Sequence, residues 1–482
     1  MRVIMAASEA VPFAKTGGLA DVVGALPPAL QQRGVDVAVI LPKYPSVTEA
    51  GAAVRRLDWT LAVPVSSRTV TAGVWTTTGA DGVAVYFIEA DPYFARAALY
   101  GTASGDYPDN AERFAFFSRA ALALAQRLGA PDVFHCHDWQ TGLIPVFLRA
   151  DPTRYADLAR TRTVLTVHNI GYHGAFWTPD WHLLNLEWAY FSPEWLEFYG
   201  YINYLKGGLR TADAITTVSP TYAREIQTPA FGCGMEGVLA GRGDAVTGIL
   251  NGVDYTEWNP EHDRFIAAAY SVDDLAGKAA CKADLQAAVG LPVDARVPLL
   301  GIVSRLVEQK GIDLLTGAAT ALLRKRVQLV VLGSGEPWRE TLLQNLAAIF
   351  PTRCAVRIGY DNALAHRIEA GCDMFLMPSR YEPCGLNQMY SLRYGTIPIV
   401  RATGGLDDSV VDVDSASGRG TGFKFVDTSP GALLACIGRA LAAYRTPRWW
   451  RTIMAQAMRA DFSWDRSAEA YIELYRRLAA GD

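Results

Sequence analysis

The feature that most constrains the fold is a regular alternation of short, β-branched apolar runs with longer segments of helical periodicity. The first series of runs occupies residues 2–7, 35–41, 83–89, 133–137, 162–168 and 214–219, and a second series occupies 298–304, 327–333, 355–358, 374–378 and 397–402. Several runs are apolar on both faces, as strands of a parallel sheet between two layers of helices must be. Strand, crossover helix and strand repeated in this way predict a doubly wound α/β fold.

The two series of strands predict two Rossmann-like domains facing a deep inter-domain cleft. Between them lie Asn251-Gly252-Val253-Asp254 and a polar, irregular stretch that continues to about Lys278. We therefore expect an N-terminal domain over residues 1–252 and a C-terminal domain over residues 253–460. In open sheets of this kind, ligands bind beyond the carboxyl ends of the strands.

An internal repeat supports this division of the chain. The segment at residues 16–23, Thr-Gly-Gly-Leu-Ala-Asp-Val-Val, recurs at residues 403–410 as Thr-Gly-Gly-Leu-Asp-Asp-Ser-Val. Each copy follows a predicted strand and opens a helical pattern. The sequence thus predicts one paired-glycine turn per domain.

Charge and cysteine usage exclude several classes of protein. Lys and Arg total 45 and Asp and Glu total 49, a net charge of −4, so the chain lacks the basic excess of a general nucleic-acid binder. No apolar run reaches the ~18–20 residues that span a bilayer, and Glu9 comes too early for a signal-peptide core. The seven cysteines form no C-x-x-C pair, which disfavours a disulfide framework or a zinc ribbon and favours a reducing, cytoplasmic location.

The first candidate site is Lys15-Thr16-Gly17-Gly18-Leu19, directly after the first predicted strand. Paired glycines allow backbone N–H groups to approach an anion, the following helix N-terminus adds a favourable dipole, and Lys15 adds a positive charge. The segment is neither G-x-G-x-x-G nor a P-loop, which disfavours a dinucleotide dehydrogenase or a kinase. A tight strand-to-helix turn with a solvated lysine explains the same residues equally well.

Polar clusters end two further strands of the first series. His135-Cys136-His137-Asp138 closes one, and His168-Asn169 closes the next. Asp138 and His168 therefore lie where an open α/β sheet binds ligands. His135 and His137 share one face of a strand, but no third ligand is evident, so a metal site is disfavoured.

The segment over residues 176–204 is rich in aromatic residues. Its large apolar residues follow near-helical spacing, interrupted at Pro193: Trp181, Leu184, Trp188, Phe191, Trp195 and Phe198. A buried helical stripe is the favoured interpretation, and a sugar-stacking platform is the alternative.

Two motifs of the second series combine charge with a helix N-terminus. Arg305 and Lys310 lie in the loop after its first strand and are suited to clamp a diphosphate, although surface lysines and arginines are usually only solvated. Glu382 precedes Pro383 and a predicted helix opened by Gly385, Leu386 and Asn387, whose free N–H groups suit a phosphate. A carboxylate beside such an anion site suits a reaction that develops positive charge on a sugar and expels a phosphate. A nucleophilic role for Cys384 is disfavoured because no cysteine-protease signature surrounds it.

Together these segments resemble bacterial glycogen synthases and plant starch synthases, retaining glucosyltransferases of the two-Rossmann-domain (GT-B) type. The resemblance extends over essentially the whole chain, to the tail Asp461-Phe462-Ser463-Trp464. Its most specific segments are Lys15-Thr16-Gly17-Gly18-Leu19, Ser304-Arg305-Leu306-Val307-Glu308-Gln309-Lys310-Gly311 and Glu382-Pro383-Cys384-Gly385-Leu386.

The resemblance implies transfer of glucose from ADP-glucose to the non-reducing end of an α-1,4-glucan such as glycogen, without a metal or another cofactor. It implies that Arg305, Lys310, Lys15, His168 and Glu382 act in catalysis and that Asp138 approaches the acceptor. The implied donor contacts are Lys15, Gly17, Gly18, Asn251, Tyr360, Cys384, Gly385, Leu386 and Asn387, with Tyr360 stacking on adenine. It further implies that a helix over residues 461–482, containing Tyr471 and Tyr475, returns to the first domain.

Some positions depart from the pattern of that family and leave alternatives open. Asn387 replaces the usual Thr, and His173 replaces the usual Gln. A related transferase that uses UDP-glucose or a small acceptor is the main alternative, and a silent glucan-binding scaffold is another. The mechanism also stays open, since Glu382 serves either double displacement or the front-face attack that is usual for this family.

Overall fold

The computed structural model describes residues 1–51, 53–102, 104–414 and 417–481. The chain divides into two compact units. Unit 1 comprises residues 1–218, 223–252 and 464–482, and unit 2 comprises residues 219–222 and 253–463. Within the described ranges, no helix combines the length and the hydropathy that a membrane span requires.

Unit 1 is built on a mostly parallel sheet. The strands of unit 1 are β1 (Arg2–Ala6), β2 (Asp36–Pro42), β3 (Arg55–Val65), β4 (Arg68–Thr78), β5 (Ala84–Glu89), β6 (Gly101–Thr102), β7 (Gly105–Asp106), β8 (Val133–His137), β9 (Arg162–Val167), β10 (Ala175–Phe176), β11 (Glu197–Phe198), β12 (Tyr201–Asn203), β13 (Ala214–Thr217) and β14 (Val246–Gly248). Nine of them form one sheet in the order β14-β13-β9-β8-β1-β2-β5-β4-β3. The strands from β14 to β5 are parallel, and their order changes direction between β1 and β8, as in a Rossmann fold.

The central strands of this sheet are apolar because helices cover both faces. Val3, Ile4, Met5 and Ala6 of β1 are fully buried although they point alternately to opposite faces. Strands β3 and β4 differ, since they form an antiparallel hairpin at the edge in which exposed and buried residues alternate. This hairpin was not predicted from the sequence.

The helices before residue 253 are α1 (Gly18–Gln32), α2 (Ser46–Glu49), α3 (Asp91–Phe94), α4 (Asn110–Leu128), α5 (Asp138–Thr141), α6 (Leu143–Ala150), α7 (Tyr204–Thr211), α8 (Pro220–Glu225) and α9 (Glu236–Ala240). The 3₁₀ helices of the chain are Ala80–Gly82, Ala156–Leu158, Thr178–Leu184, Trp188–Tyr190, Gly243–Ala245 and Glu308–Lys310.

The predicted helical stripe over the aromatic segment is wrong. Short 3₁₀ helices and a three-stranded sheet, β10-β12-β11, replace the expected α-helix. Trp181 is buried, but Trp188 is 60% exposed, so the aromatic residues do not share one buried face. Pro193 removes a backbone donor and disfavours a helix through this region. The positive φ angles of Tyr199 and Gly200 then form the β11–β12 turn.

Unit 2 contains a six-stranded parallel sheet. Its strands are β15 (Leu299–Val303), β16 (Gln328–Gly333), β17 (Cys354–Ile358), β18 (Met374–Met377), β19 (Ile397–Arg401) and β20 (Phe423–Phe425). Their order is β17-β16-β15-β18-β19-β20. This is again the Rossmann order, and its change of direction falls between β15 and β18.

The helices of unit 2 are α10 (Ala276–Val289), α11 (Ile312–Leu323), α12 (Pro337–Ile349), α13 (Asn362–Gly371), α14 (Asn387–Arg393), α15 (Gly404–Ser409), α16 (Pro430–Tyr444) and α17 (Pro447–Met458). Leu300, Val331, Leu376 and Ile399 of the sheet pack with residues of α11, α16 and α17 in one hydrophobic core. All eleven strands that the sequence predicted are present, with ends shifted by at most two residues.

The last helix, α18 (Trp464–Ala480), belongs to unit 1. Its residues Trp464, Ala468, Tyr471 and Tyr475 join the hydrophobic core that contains β1. Tyr475 Oη is hydrogen-bonded to His135 Nδ1 of β8 at 2.7 Å, and His135 Nε2 is hydrogen-bonded to Thr166 Oγ1 at 2.6 Å. A buried polar chain therefore connects the C-terminal helix to the sheet.

We predict that Tyr475→Phe lowers the free energy of unfolding by about 1–3 kcal/mol, because it leaves the buried His135 Nδ1 without its partner while the ring still packs. The measurement is urea denaturation of the variant beside the parent protein. Tyr172→Phe, at a position 58% exposed, is the matched control. Equal stability of the two variants would contradict the structural role assigned to this hydrogen bond.

Candidate active site

The carboxyl ends of β15 and β18 carry the polar residues that the sequence analysis singled out in unit 2. Residues 304–311 follow β15, and residues 378–386 follow β18. Because β15 and β18 are neighbours in the sheet, the two loops meet at the point where the strand order changes direction. This is the position at which doubly wound sheets bind ligands.

An ion pair joins the two loops. Lys310 Nζ lies 2.6 Å from Glu382 Oε2, and Ser379 Oγ donates a hydrogen bond of 2.9 Å to the same oxygen. Glu382 is 5% exposed. Its carboxylate is therefore held in place by a cation and a hydroxyl.

Arg305 and Lys310, the two predicted clamp residues, have different environments. Lys310 is half-buried and paired with Glu382, whereas Arg305 is exposed and donates one hydrogen bond, to Gln309 Oε1 at 3.2 Å. In the described residues Arg305 has no carboxylate partner. Its guanidinium is thus available to an external anion.

Close backbone contacts hold the loops after β15 and β18 together. Gly311 has φ +65°, and a Cβ atom there would lie 2.0 Å from the carbonyl oxygen of Pro378, so only glycine fits between the loops. Helix α14 begins at Asn387, whose Nδ2 donates to the carbonyl oxygen of Val303 at the end of β15, at 2.8 Å. The Asn387 side chain therefore fixes the start of the helix against the neighbouring strand.

The second paired-glycine turn packs against the backbone of Glu382. Gly405 N donates to the carbonyl oxygen of Glu382 at 3.1 Å. Cβ atoms at Gly404 and Gly405 would lie 1.9 and 2.1 Å from the carbonyl oxygens of Glu382 and Cys384. Cys384 is itself buried. The glycines of this copy thus serve close packing.

Tyr360 lies apart from these contacts, after β17. Its side chain is 86% exposed, and its hydroxyl is 3.4 Å from Asn362 Oδ1. Its ring face is therefore open to a planar partner.

In unit 1, the loop after β1 folds around a buried carboxylate that the sequence analysis did not assign to the site. Glu9, 3% exposed, accepts hydrogen bonds from Thr16 Oγ1 at 2.7 Å, Tyr100 Oη at 2.6 Å and Gly17 N at 3.3 Å. Thr16 N also donates to it. A glutamate three residues after an apolar strand was the available signal.

The first paired-glycine turn differs from the second. Among the described residues, no atom outside the adjacent backbone lies within 4 Å of a Cβ atom built at Gly17 or Gly18, and both glycines are exposed. Lys15 is exposed as well and pairs with Asp21 Oδ1 at 2.6 Å. This turn has open space beside its backbone.

Asp138 follows β8 with the unusual φ of +55°. Its half-buried carboxylate accepts a hydrogen bond of 2.7 Å from His168 N, at the end of β9. Burial and, less strongly, the negative charge of Glu9 raise the pKa of Asp138 to about 7. Hydrogen bonds from the N–H groups of His168 and Asn169 act in the opposite direction. The group therefore titrates near neutral pH.

Three histidines lie beside Asp138. His137 Nδ1 is 3.0 Å from His168 Nε2, and the rings of His135 and His137 stack at 4.2 Å. Burial lowers the pKa of His135 and of His168 to about 3, so both are neutral at pH 7. Both ring nitrogens of His135 are hydrogen-bonded within unit 1, which leaves none for a metal ion.

Asn251 completes this edge of the unit 1 sheet, three residues after β14. It is 7% exposed, and its buried Oδ1 has no hydrogen-bond partner among the described residues. A buried amide oxygen of this kind is costly unless a ligand or water satisfies it. His173, the other departure in this region, is half-buried, and burial lowers its pKa.

Comparison with known proteins gives consistent matches along the chain. Residues 2–241 match the model of the starch synthase catalytic domain, and residues 290–452 match that of glycosyl transferases group 1. The chain is 52% identical to a glycogen synthase of Koribacter versatilis (99% of this chain, 98% of the relative) and 52% identical to one of an Anaeromyxobacter species (100% of each chain).

Among solved structures, the catalytic domain of starch synthase IV from Arabidopsis thaliana, bound to ADP and acarbose, matches with a TM-score of 0.90 at 35% identity over 99% of each chain. Sucrose-phosphate synthase from Thermosynechococcus elongatus matches over 100% of each chain with a TM-score of 0.63 at 20% identity, which is similarity of fold alone.

The two paired-glycine turns predict responses of different size to the same substitution. Gly404→Ala should lower the free energy of unfolding by about 2–4 kcal/mol, because the new methyl group meets a carbonyl oxygen in a left-handed backbone conformation. Gly17→Ala should change it by less than about 0.5 kcal/mol, because the site is open and exposed. Urea denaturation of both variants measures the difference, and comparable losses would contradict the assigned packing.

The raised pKa of Asp138 predicts a pH-dependent stability. Between about pH 4 and 7 the folded protein keeps a proton that the unfolded chain has released, so the contribution of this carboxyl falls as the pH rises and is constant above its pKa. Relative to Asp138→Asn, the parent protein should therefore lose stability from pH 4 to 7. Urea denaturation across this range measures the difference, with Asp58→Asn at an exposed position as the control. A pH-independent difference would contradict the prediction.

Proposed function

The chain belongs to the glycogen synthase and starch synthase family, and we propose that the residues described above carry out its reaction. It is a retaining glucosyltransferase that elongates an α-1,4-glucan by transfer of glucose from ADP-glucose to a non-reducing end. The observation that best supports the assignment of residues is the Lys310–Glu382 pair at the junction of β15 and β18.

We propose that unit 2 binds the nucleotide diphosphate of the donor. Arg305 is exposed and unpaired with any described carboxylate, so it offers two parallel N–H donors to phosphate oxygens. Lys310 adds a second charge, and the backbone N–H groups of Gly385, Leu386 and Asn387 add donors at the start of α14. Together with Cys384, these residues form the phosphate side of the donor site, and the open ring of Tyr360 stacks on the base.

Glu382 is the residue that we propose to stabilise the reacting sugar. Transfer with retention develops positive charge at the anomeric carbon, which a nearby carboxylate favours. The carboxylate already bonds Lys310 and Ser379 through Oε2, which restrains it and reduces its nucleophilicity. These contacts support front-face attack, in which the leaving phosphate oxygen takes the proton of the acceptor hydroxyl as the new glycosidic bond forms.

In unit 1, Lys15 and the amides of Gly17 and Gly18 are proposed to contact the donor. Glu9 is proposed as a positioning residue, since it fixes the N–H groups of Thr16 and Gly17. His168 and Asn251 are proposed to bind the transferred glucose, which would satisfy the unpaired Asn251 Oδ1.

Asp138, beside His168, is proposed to bind the acceptor glucan. All seven cysteines are free thiols, and we propose a cytoplasmic location for the enzyme.

The alternative donor is UDP-glucose, because an exposed tyrosine ring stacks on adenine and on uracil alike. ADP release from ADP-glucose with a glycogen primer, measured in EDTA beside a parallel run with UDP-glucose, tests the donor and the protein-cation clamp together. We expect strong activity with ADP-glucose in EDTA. Activity only with UDP-glucose would overturn the donor.

In the same assay, Arg305→Ala should lower kcat about 10²–10³-fold with a much smaller change in the KM for glycogen, because the guanidinium acts on the leaving phosphate. Arg476→Ala, in the exposed face of α18, is the matched control. Equal losses in kcat and in glucan affinity would contradict the role assigned to Arg305.

A further inference from the structure

Unit 2 contains a cavity at the edge of its sheet opposite to the candidate active site. Its volume is about 970 Å³, and its walls include Pro298, Val327 and Asp373, which directly precede β15, β16 and β18. The proposed donor residues of unit 2 follow the carboxyl ends of β15, β17 and β18, and none of them lines the cavity. The cavity is therefore a separate site.

The walls of the cavity are strongly cationic. One carboxylate, Asp373, lines it, against seven cationic side chains: Lys278, Lys282, Arg296, Lys325, Arg326, Arg445 and Arg451. The lining charge is 7 − 1 = +6, whereas the whole chain carries −4. A concave surface of one sign concentrates the field and attracts ions of opposite charge.

The two buried lysines hold the cavity walls in place. Lys278 Nζ donates to the carbonyl oxygens of Ala370 and Tyr394, each at 3.0 Å. Lys282 Nζ lies 2.7 Å from Asp373 Oδ2. Both lysines are less than 10% exposed, so the inner end of the cavity is a fixed, charged surface.

Three of the five cations at the rim are available to a ligand. Arg296 and Arg326 share Asp294, at 3.8 and 2.8 Å. The other three, Lys325, Arg445 and Arg451, are exposed, and no carboxylate within the described ranges pairs with them. They come from the end of α11, the turn between α16 and α17, and α17 itself.

The remaining wall is apolar and aromatic. Trp450 and Tyr444 contact each other at 5.2 Å between ring centroids, and Leu441 and Met454 also line the cavity. Pockets for small metabolites typically combine a mostly apolar wall with a few convergent charged groups in a volume of this order.

We propose that this cavity binds a small metabolite that carries two or more phosphate groups. Unpaired cations on three separate elements are best satisfied by more than one anionic group, and arginine forks match phosphate oxygens in geometry as well as in charge. This binding site goes beyond the glucosyltransferase activity and does not depend on the residues assigned to it.

Calorimetric titration with fructose 1,6-bisphosphate, and separately with inorganic tripolyphosphate, tests the proposal. ADP is left out, because it carries two phosphate groups itself and would compete for the cavity; Arg305→Ala reports any binding at the proposed donor site. We expect the triple variant Lys325→Ala, Arg445→Ala, Arg451→Ala to bind at least about 10-fold more weakly than the parent, in line with the loss of several charge-assisted hydrogen bonds. Arg305→Ala and Arg476→Ala should bind as the parent does.

A higher affinity for fructose 1,6-bisphosphate identifies the ligand as a sugar bisphosphate, and a higher affinity for tripolyphosphate identifies it as a free polyphosphate. Unchanged affinity in the triple variant, an equal loss in Arg305→Ala, or equal affinity for inorganic monophosphate would overturn the proposal. Tryptophan fluorescence is the second measurement: a probe-induced change should be reduced in Trp450→Phe, and a change of undiminished amplitude would place the probe elsewhere. Failure of the glucosyltransferase assay would leave these binding results unaffected.

Discussion

Burial of the parallel strands on both faces is the constraint on which the rest of the structure depends. A strand such as β1 has no polar face, so polar side chains appear only where the strand ends. Glu9, Asp138 and His168 follow three strands of unit 1 in this way, and Arg305 and Glu382 follow two strands of unit 2. In both units the strand order of the sheet changes direction between the first and the fourth parallel strand, which brings these strand ends together at one edge of the sheet.

The charged groups brought to these edges are only partly hydrated, and each is compensated locally. Glu382 is bonded to Lys310 and Ser379, and Glu9 accepts hydrogen bonds from the loop that it organises. Among the described residues, the compensation of Asp138 comes from backbone N–H groups, and burial raises its pKa. The histidines beside it stay neutral because burial disfavours their charged form. The same low-dielectric surroundings that impose these costs strengthen the interaction of each group with a charged substrate.

Sequence periodicity predicted the strands well because burial on both faces leaves a continuous apolar run. It did not predict the β3–β4 hairpin, in which exposed and buried residues alternate at an edge. The aromatic segment had helical spacing, but proline and the turn at Tyr199-Gly200 outweighed that spacing. Motifs predicted that Arg305 and Glu382 each lie in a loop after a strand of the second series, and the structure adds that these two strands are neighbours. Glu9 carries no motif of its own. The two paired-glycine turns have similar sequences but different surroundings. Only the structure shows that one of them is in close contact with a neighbouring backbone and the other is not.

The Lys310–Glu382 pair argues for function rather than stability. Burying two opposite charges costs desolvation energy that their attraction often does no more than repay, so an apolar pair of similar volume would hold these loops at least as well. The presence of both ions is understandable if each one acts on the substrate. Glu382 then stabilises positive charge at the sugar, and Lys310 stabilises negative charge at the diphosphate. In a glycosyl transfer, positive charge on the sugar and negative charge on the leaving phosphate develop together, a short distance apart. A neutral pair of one carboxylate and one ammonium group can stabilise both of these charges at once. The arrangement is preorganised in this sense, because neither group has to be dehydrated again when the substrate arrives.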